Sequence, residues 1–211
     1  MTEHELLTYE QARDRAAIDP AMSALFNWLE SYPGNPHAEL GRPGAICPFT
    51  RPSRRLGATR ISLSSAGAED EESAFAQVRR AYADLDRIPV ERGKEEFRAV
   101  VIAFPNCMSD AGIEMLERVA KQHKYYSIVR FRTIGLLHEK SKAPGLWNPN
   151  FHPMRAPMPL VAIRHIVEQD APFIIDQHLQ WAPYLLRFGL PGARRLMNYG
   201  RHRRTPPTAV G

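Results

Sequence analysis

A chain of 211 residues with 44% apolar residues, no repeat and no long linker has room for one sizeable core and no need of a second domain. Its net charge of +5 is concentrated in Arg194, Arg195, Arg201, Arg203 and Arg204, which leaves the body close to neutral and argues against nucleic acid as a partner. The acidic N-terminus lacks a signal core, no apolar run approaches the ~20 residues that span a bilayer, and Cys47 and Cys107 have no metal-ligand spacing, so a cytoplasmic protein with reduced thiols and no membrane partner is expected.

Residues 1–18 are charged and weakly patterned. Asp19-Pro20 then reads as a helix cap followed by a first-turn proline, with Met22, Leu25, Phe26 and Leu29 on one stripe up to the break at 31–34. Gly41 to Pro52 is rich in proline and carries Cys47, Arg42 and Arg51; its composition echoes a later loop, and the two are expected to face one another. A short strand follows at 59–63, and an amphipathic helix at 73–85 with Phe75, Val78, Tyr82 and Leu85. The near-continuous apolar run 97–104 predicts a strand buried on both faces. Ser109-Asp110 caps a helix carrying Ile113, Leu116, Val119 and Ala120 to about Lys124, and 127–137 reads as a strand in which Ile134 and Leu136 share a face with His138.

Four prolines make 145–159 a stiff loop that cannot be helical. The run 160–167 reads as a central strand, and 176–188 as a helix kinked at Pro183. The order of elements predicts an α+β sandwich: one domain over 1–193, a mixed sheet of about four strands flanked by helices, and an antiparallel last pair of strands. Residues 194–211 read as a basic, disordered tail.

Chemistry is expected at the ends of the last two strands. His165 shares a face with Val161, Ile163 and Val167, while Arg164 lies on the other with Leu160, Ala162 and Ile166, so each needs a partner or a shifted pKa. The bland readings are a satisfied core histidine, an ordinary ion pair and, for His138, a solvated turn. A metal site built on His138, His152 and His165 matches no ligand spacing. There is no Gly-x-Ser-x-Gly elbow and no glycine-rich phosphate loop. Haem asks for less: one axial histidine, an apolar slot and arginines for its propionates. His138, or else His165, would ligate the metal, Arg155 and Arg164 would meet the carboxylates, and Trp147, Phe151 and Met158 would line the slot. The same residues would equally build a cofactor-free pocket for an anionic metabolite or partner peptide, and a homodimer remains open.

The segments Gly41-Arg-Pro-Gly-Ala-Ile-Cys-Pro-Phe49 and Asn148-Pro-Asn-Phe-His-Pro-Met-Arg-Ala-Pro-Met-Pro-Leu-Val-Ala-Ile-Arg-His165 resemble an uncharacterised actinobacterial domain family, over roughly residues 25–175. More remotely, Gly135-Leu-Leu-His138 is similar to the Gly-Met-His-Pro segment of the YqcI/YcgG family, with one residue inserted and no proline. That resemblance implies a haem protein with His138 as axial ligand, an oxygenase or tailoring enzyme of biosynthesis acting on a small, amino-acid-like substrate.

Overall fold

The computed structural model describes residues 5–175 and 180–204, excepting the side chains of 200–204. Helices α1 (Tyr9–Ala16), α2 (Pro20–Ser31) and α3 (Thr50–Arg55) precede strand β1 (Thr59–Leu63). Helix α4 (Glu71–Arg87), strand β2 (Ala99–Ala103) and helix α5 (Asp110–Val129) follow, then strands β3 (Arg132–Leu137) and β4 (Leu160–His165) and helices α6 (Ala171–Ile174) and α7 (Trp181–Arg204).

Local chemistry fixes the helix starts as the sequence requires. The Asp19 carboxylate accepts from the amides of Ala21 and Met22, and Ser109 Oγ accepts from Gly112 N, so donors that would otherwise be orphaned are satisfied. Helix α1 was not anticipated: a capping box between Thr8 and Gln11 starts it, but Ala12 is its one buried side chain, too little to leave an apolar stripe.

The four strands lie in the order β1-β2-β4-β3, with β1 and β2 parallel and β4 antiparallel to both of its neighbours. This is the mixed α+β sheet expected. The chain passes from β2 through α5 to the far edge at β3, and β4 returns to fill the gap. Its run of Leu160, Val161 and Ile163 is nearly or fully buried because strands flank it on both sides. Alternation along the strands separates two cores. Val100, Ile102, Val161 and Ile163 face α4 and α5, while Ile61, Val101, Ala103 and Leu160 face α1, α2 and the returning loop. A third cluster, including Ile128, Ile166, Ile174 and Tyr184, seats α6 and α7 at one end.

Three sequence expectations are corrected. Residues 127–129 continue α5 and do not open β3. Ser127 Oγ bonds Tyr82 Oη at 2.5 Å inside the core and Ile128 is buried, so packing overrides the β preference of Ile-Val; the turn to β3 comes at Phe131, held at φ 57°. The end of the proline-rich segment, likened to a loop as far as Pro52, joins the unassigned residues 53–55 in α3, in which Pro52 occupies the first turn, where its missing amide costs nothing. Helix α7 runs from Trp181 to Arg204, and its break is at Gly189 (φ 54°, ψ −138°), not at Pro183. Residues 194–204 of the basic segment are thus helical. Residues 176–179, where that helix was expected to start, and 205–211 lie outside the described residues.

Candidate functional site

The segment between β3 and β4 is rigid for the reasons its prolines suggest. His138 N donates to Met154 O at 3.2 Å, Ser141 N to His138 O at 3.1 Å and Gly145 N to Phe151 O at 2.7 Å. Arg155 Nε donates to Ser141 O at 3.2 Å, and His152 Nδ1 lies 3.3 Å from Ala143 O. The second half of the loop therefore straps down residues 138–143. Gly145 is required here, since a Cβ would stand 2.8 Å from Asn148 O. The loop also meets the earlier proline-rich region, as expected. Asn148 Nδ2 donates to Glu39 O at 2.9 Å, Phe151 stacks on His37 with centroids 4.6 Å apart, and Gly41 abuts the Trp147 backbone.

The residues proposed from sequence as one haem pocket do not converge. His138 and His165 share the sheet face toward α5, but Arg132 is the register partner of His165 and Leu137 that of Leu160. His138 follows Leu137, so the two histidines stand at opposite ends of the pair, roughly 20 Å apart at ~3.3 Å per residue. Arg164 points to the other face. Its guanidinium grips Asp170 with Nη1–Oδ2 at 2.8 Å and Nη2–Oδ1 at 2.6 Å, and lies over Phe49 at 4.9 Å. Burial works to lower its pKa, but the pairing with Asp170 raises it above the ordinary value. Met158 is buried in the α1–α2 layer, Phe151 is buried against His37, and Trp147 is 61% exposed. Arg155 is exposed and braces the 138–143 turn. Among the described residues no three His, Cys, Asp or Glu side chains come together as a metal site.

His138 lines a sizeable cleft. A groove of about 610 Å³ runs between α5 and the edge strand β3, floored by Ala120, Ile134 and Leu136. Lys121 and Lys124 on α5, and Lys140 and Lys142 on the strapped turn, rim it, with Glu117 as the one carboxylate in its lining. Lys140 is paired with Asp110. His138 closes one end. Its Nδ1 is buried without a hydrogen-bond partner among the described residues, and burial lowers its pKa, helped by Lys140 and opposed by Glu117. The ring is therefore neutral near pH 7. Burial also lowers the pKa of Lys124.

The lysines are what sequence reading missed. Glu117, Ala120, Lys121 and Lys124 recur at helical spacing and so share one face of α5, while Glu139-Lys-Ser-Lys142 read as a solvated turn. Nothing local says that the two lysine pairs meet across an edge strand. The groove offers an apolar floor, a cationic rim and a neutral imidazole; among the described residues no carboxylate is bonded to that imidazole to act with it in proton transfer.

Among the described residues no helix is long and apolar enough to cross a membrane. No curated protein and no solved structure matches the chain. Residues 22–198, from the first turn of α2 into α7, match the family DUF6875, described as a domain of unknown function, and the chain belongs to that family.

Proposed function

We propose that the protein is a binding module for a small amphiphilic anion, held in the groove between α5 and β3 without a resident cofactor. The carrying observation is the lining itself: four lysines and one carboxylate around an apolar floor in a cleft of about 610 Å³. That volume suits a metabolite-sized ligand. The apolar part of the ligand would displace water from Ile134 and Leu136, and its carboxylate, sulfonate or phosphate would meet Lys121, Lys124 and Lys142. His138 would donate or accept one hydrogen bond at the end of the groove. Arg155 and His152 would act on the ligand only through the turn they brace.

A fluorescent arylsulfonate is the direct probe. Binding should saturate at one site on the folded protein, weaken with salt, and fall at least tenfold in Lys121→Glu/Lys124→Glu, since two attractive contacts become repulsive ones. Unchanged binding in that folded variant would sink the proposal.

A second reading keeps haem, now with His138 as the one axial ligand and lysines in place of the arginines. It is favoured by a neutral His138 that lines an apolar-floored cleft and whose buried Nδ1 has no hydrogen-bond partner among the described residues. Bound there, haem would supply redox or oxygen chemistry that the side chains lack. Hemin added to the purified protein separates the two readings: a sharp Soret band that is lost in His138→Ala supports haem, and a spectrum unchanged from free hemin removes it.

A further inference from the structure

Two buried side-chain nitrogens at the opposite end of the sheet, Arg98 Nε and His165 Nε2, have no hydrogen-bond partner among the described residues. They are neighbours by register. Ala99 pairs with Arg164 in the antiparallel β2–β4 ladder, so Arg98, one residue before β2, falls opposite His165. On its other side His165 is paired with Arg132 of β3. Arg98, His165 and Arg132 thus form one row across three adjacent strands, on the face toward α4 and α5, at the ~4.8 Å spacing of a sheet.

The surroundings of this row are predominantly cationic. Arg187 of α7 and Asp86, near the end of α4, both act on His165 through space, the first against its charged form and the second in favour of it. Glu95, from the turn before β2, feels both Arg98 and His165. Asp86 is the partner of Arg132. It is 54% exposed, and its Oδ1 stands 3.9 Å from His165 Nε2, too far for a hydrogen bond. Leaving a buried donor unpaired destabilises the fold, and setting guanidiniums beside one another adds repulsion. Fold stability alone gives no reason to assemble such a row.

We propose that the row is an oxyanion site, which takes a phosphate group, either free or as the monoester of a small molecule. Arg98 Nε–H and His165 Nε2–H, in the tautomer that carries its proton there, donate to two of its oxygens, while Arg132 and Arg187 balance its charge. A single carboxylate would need only one guanidinium, as Asp170 does with Arg164. Three guanidiniums and an imidazole donor match an ion with more oxygens and about two charges. The site lies at the other end of the β3–β4 pair from the lysine groove and does not depend on the reading of that groove.

The test is to follow the His165 ring resonances of the full-length protein at pH 6.5 while inorganic phosphate is added, with sodium chloride at matched ionic strength as control. Phosphate alone should move them saturably toward the imidazolium position, because a bound dianion favours the charged ring. Affinity should fall at least tenfold in Arg98→Gln and in Arg187→Gln; Arg187 is exposed on α7, so that variant keeps the fold even if the first does not. Equal responses to phosphate and chloride, or a folded Arg187→Gln that responds like the parent, would overturn the proposal. Phenyl phosphate distinguishes the source: tighter binding than inorganic phosphate identifies a monoester ligand, and equal or weaker binding identifies the free ion.

Discussion

Replacing Asp170 by Asn separates an arginine that holds the fold from one that holds a ligand. The Asp170 side chain is 5% exposed and that of Arg164 22%. The carboxylate accepts from both terminal nitrogens of Arg164, at 2.8 and 2.6 Å, and from Val167 N at 2.9 Å, which fixes the turn after β4. Asn keeps the size and can still accept from Val167, but it removes the counter-charge and can satisfy only one guanidinium nitrogen. Breaking a buried pair from one side costs about 3–5 kcal/mol, since the remaining charge is stranded. The partial exposure of Arg164 and the retained Val167 bond place Asp170→Asn near the lower end, at about 3 kcal/mol. With a urea slope of about 2 kcal/mol per molar, the unfolding midpoint should fall by about 1.5 M at pH 7. Arg164→Met in the same chain should recover more than half of that loss, because no unpaired charge is then buried. Ligand affinity in the lysine groove should not change. A loss below about 0.5 kcal/mol in Asp170→Asn would refute this reasoning and return Arg164 to the candidates for anion binding.

Two further outcomes are expected from groups away from the groove. Burial first, and then Arg132, press the pKa of His165 from 6.5 to about 4, Asp86 opposing and Arg98 and Arg187 adding to the effect. The unfolded chain therefore takes up this proton between pH 6.5 and 4 while the folded one does not. The stability contribution is complete above pH 6.5 and declines as pH falls toward 4, by about 3 kcal/mol in all. His165→Asn should flatten the stability curve in that window; an equally steep curve would mean that the ring is not held neutral. Separately, a Cβ on Gly112 would stand 2.7 Å from Cys107 Cα and from Cys107 O, both backbone atoms. Gly112→Ala should therefore cost about 1–3 kcal/mol by overpacking despite its better helix propensity, and a stabilised variant in thermal unfolding would contradict the close approach.

Much of the fold is legible in local patterns, because the physics that sets them is local. The cap of α2 is written in Asp19-Pro20 and that of α5 in Ser109. The interior position of β4 follows from a run apolar on both faces, and the rigidity of 145–159 from its prolines. The face assignments of His165, Arg164 and His138 follow from the period of two along a strand. Where local preference and tertiary packing disagree, packing prevails: Ser127 to Val129 stay helical because Tyr82 and the core hold them. What those residues meet depends on register and strand order, which connect distant parts of the chain. Insertion of β4 between β2 and β3 places Arg98, His165 and Arg132 in one row, sends His138 to the far end, and turns Arg164 toward Asp170. The same topology leaves β3 at an edge, where lysines from a helix and from a turn share one groove. The sequence by itself determined which side chains were out of place in an apolar setting; only the tertiary structure decided which of them are partners, since charges interact through space and not along the chain.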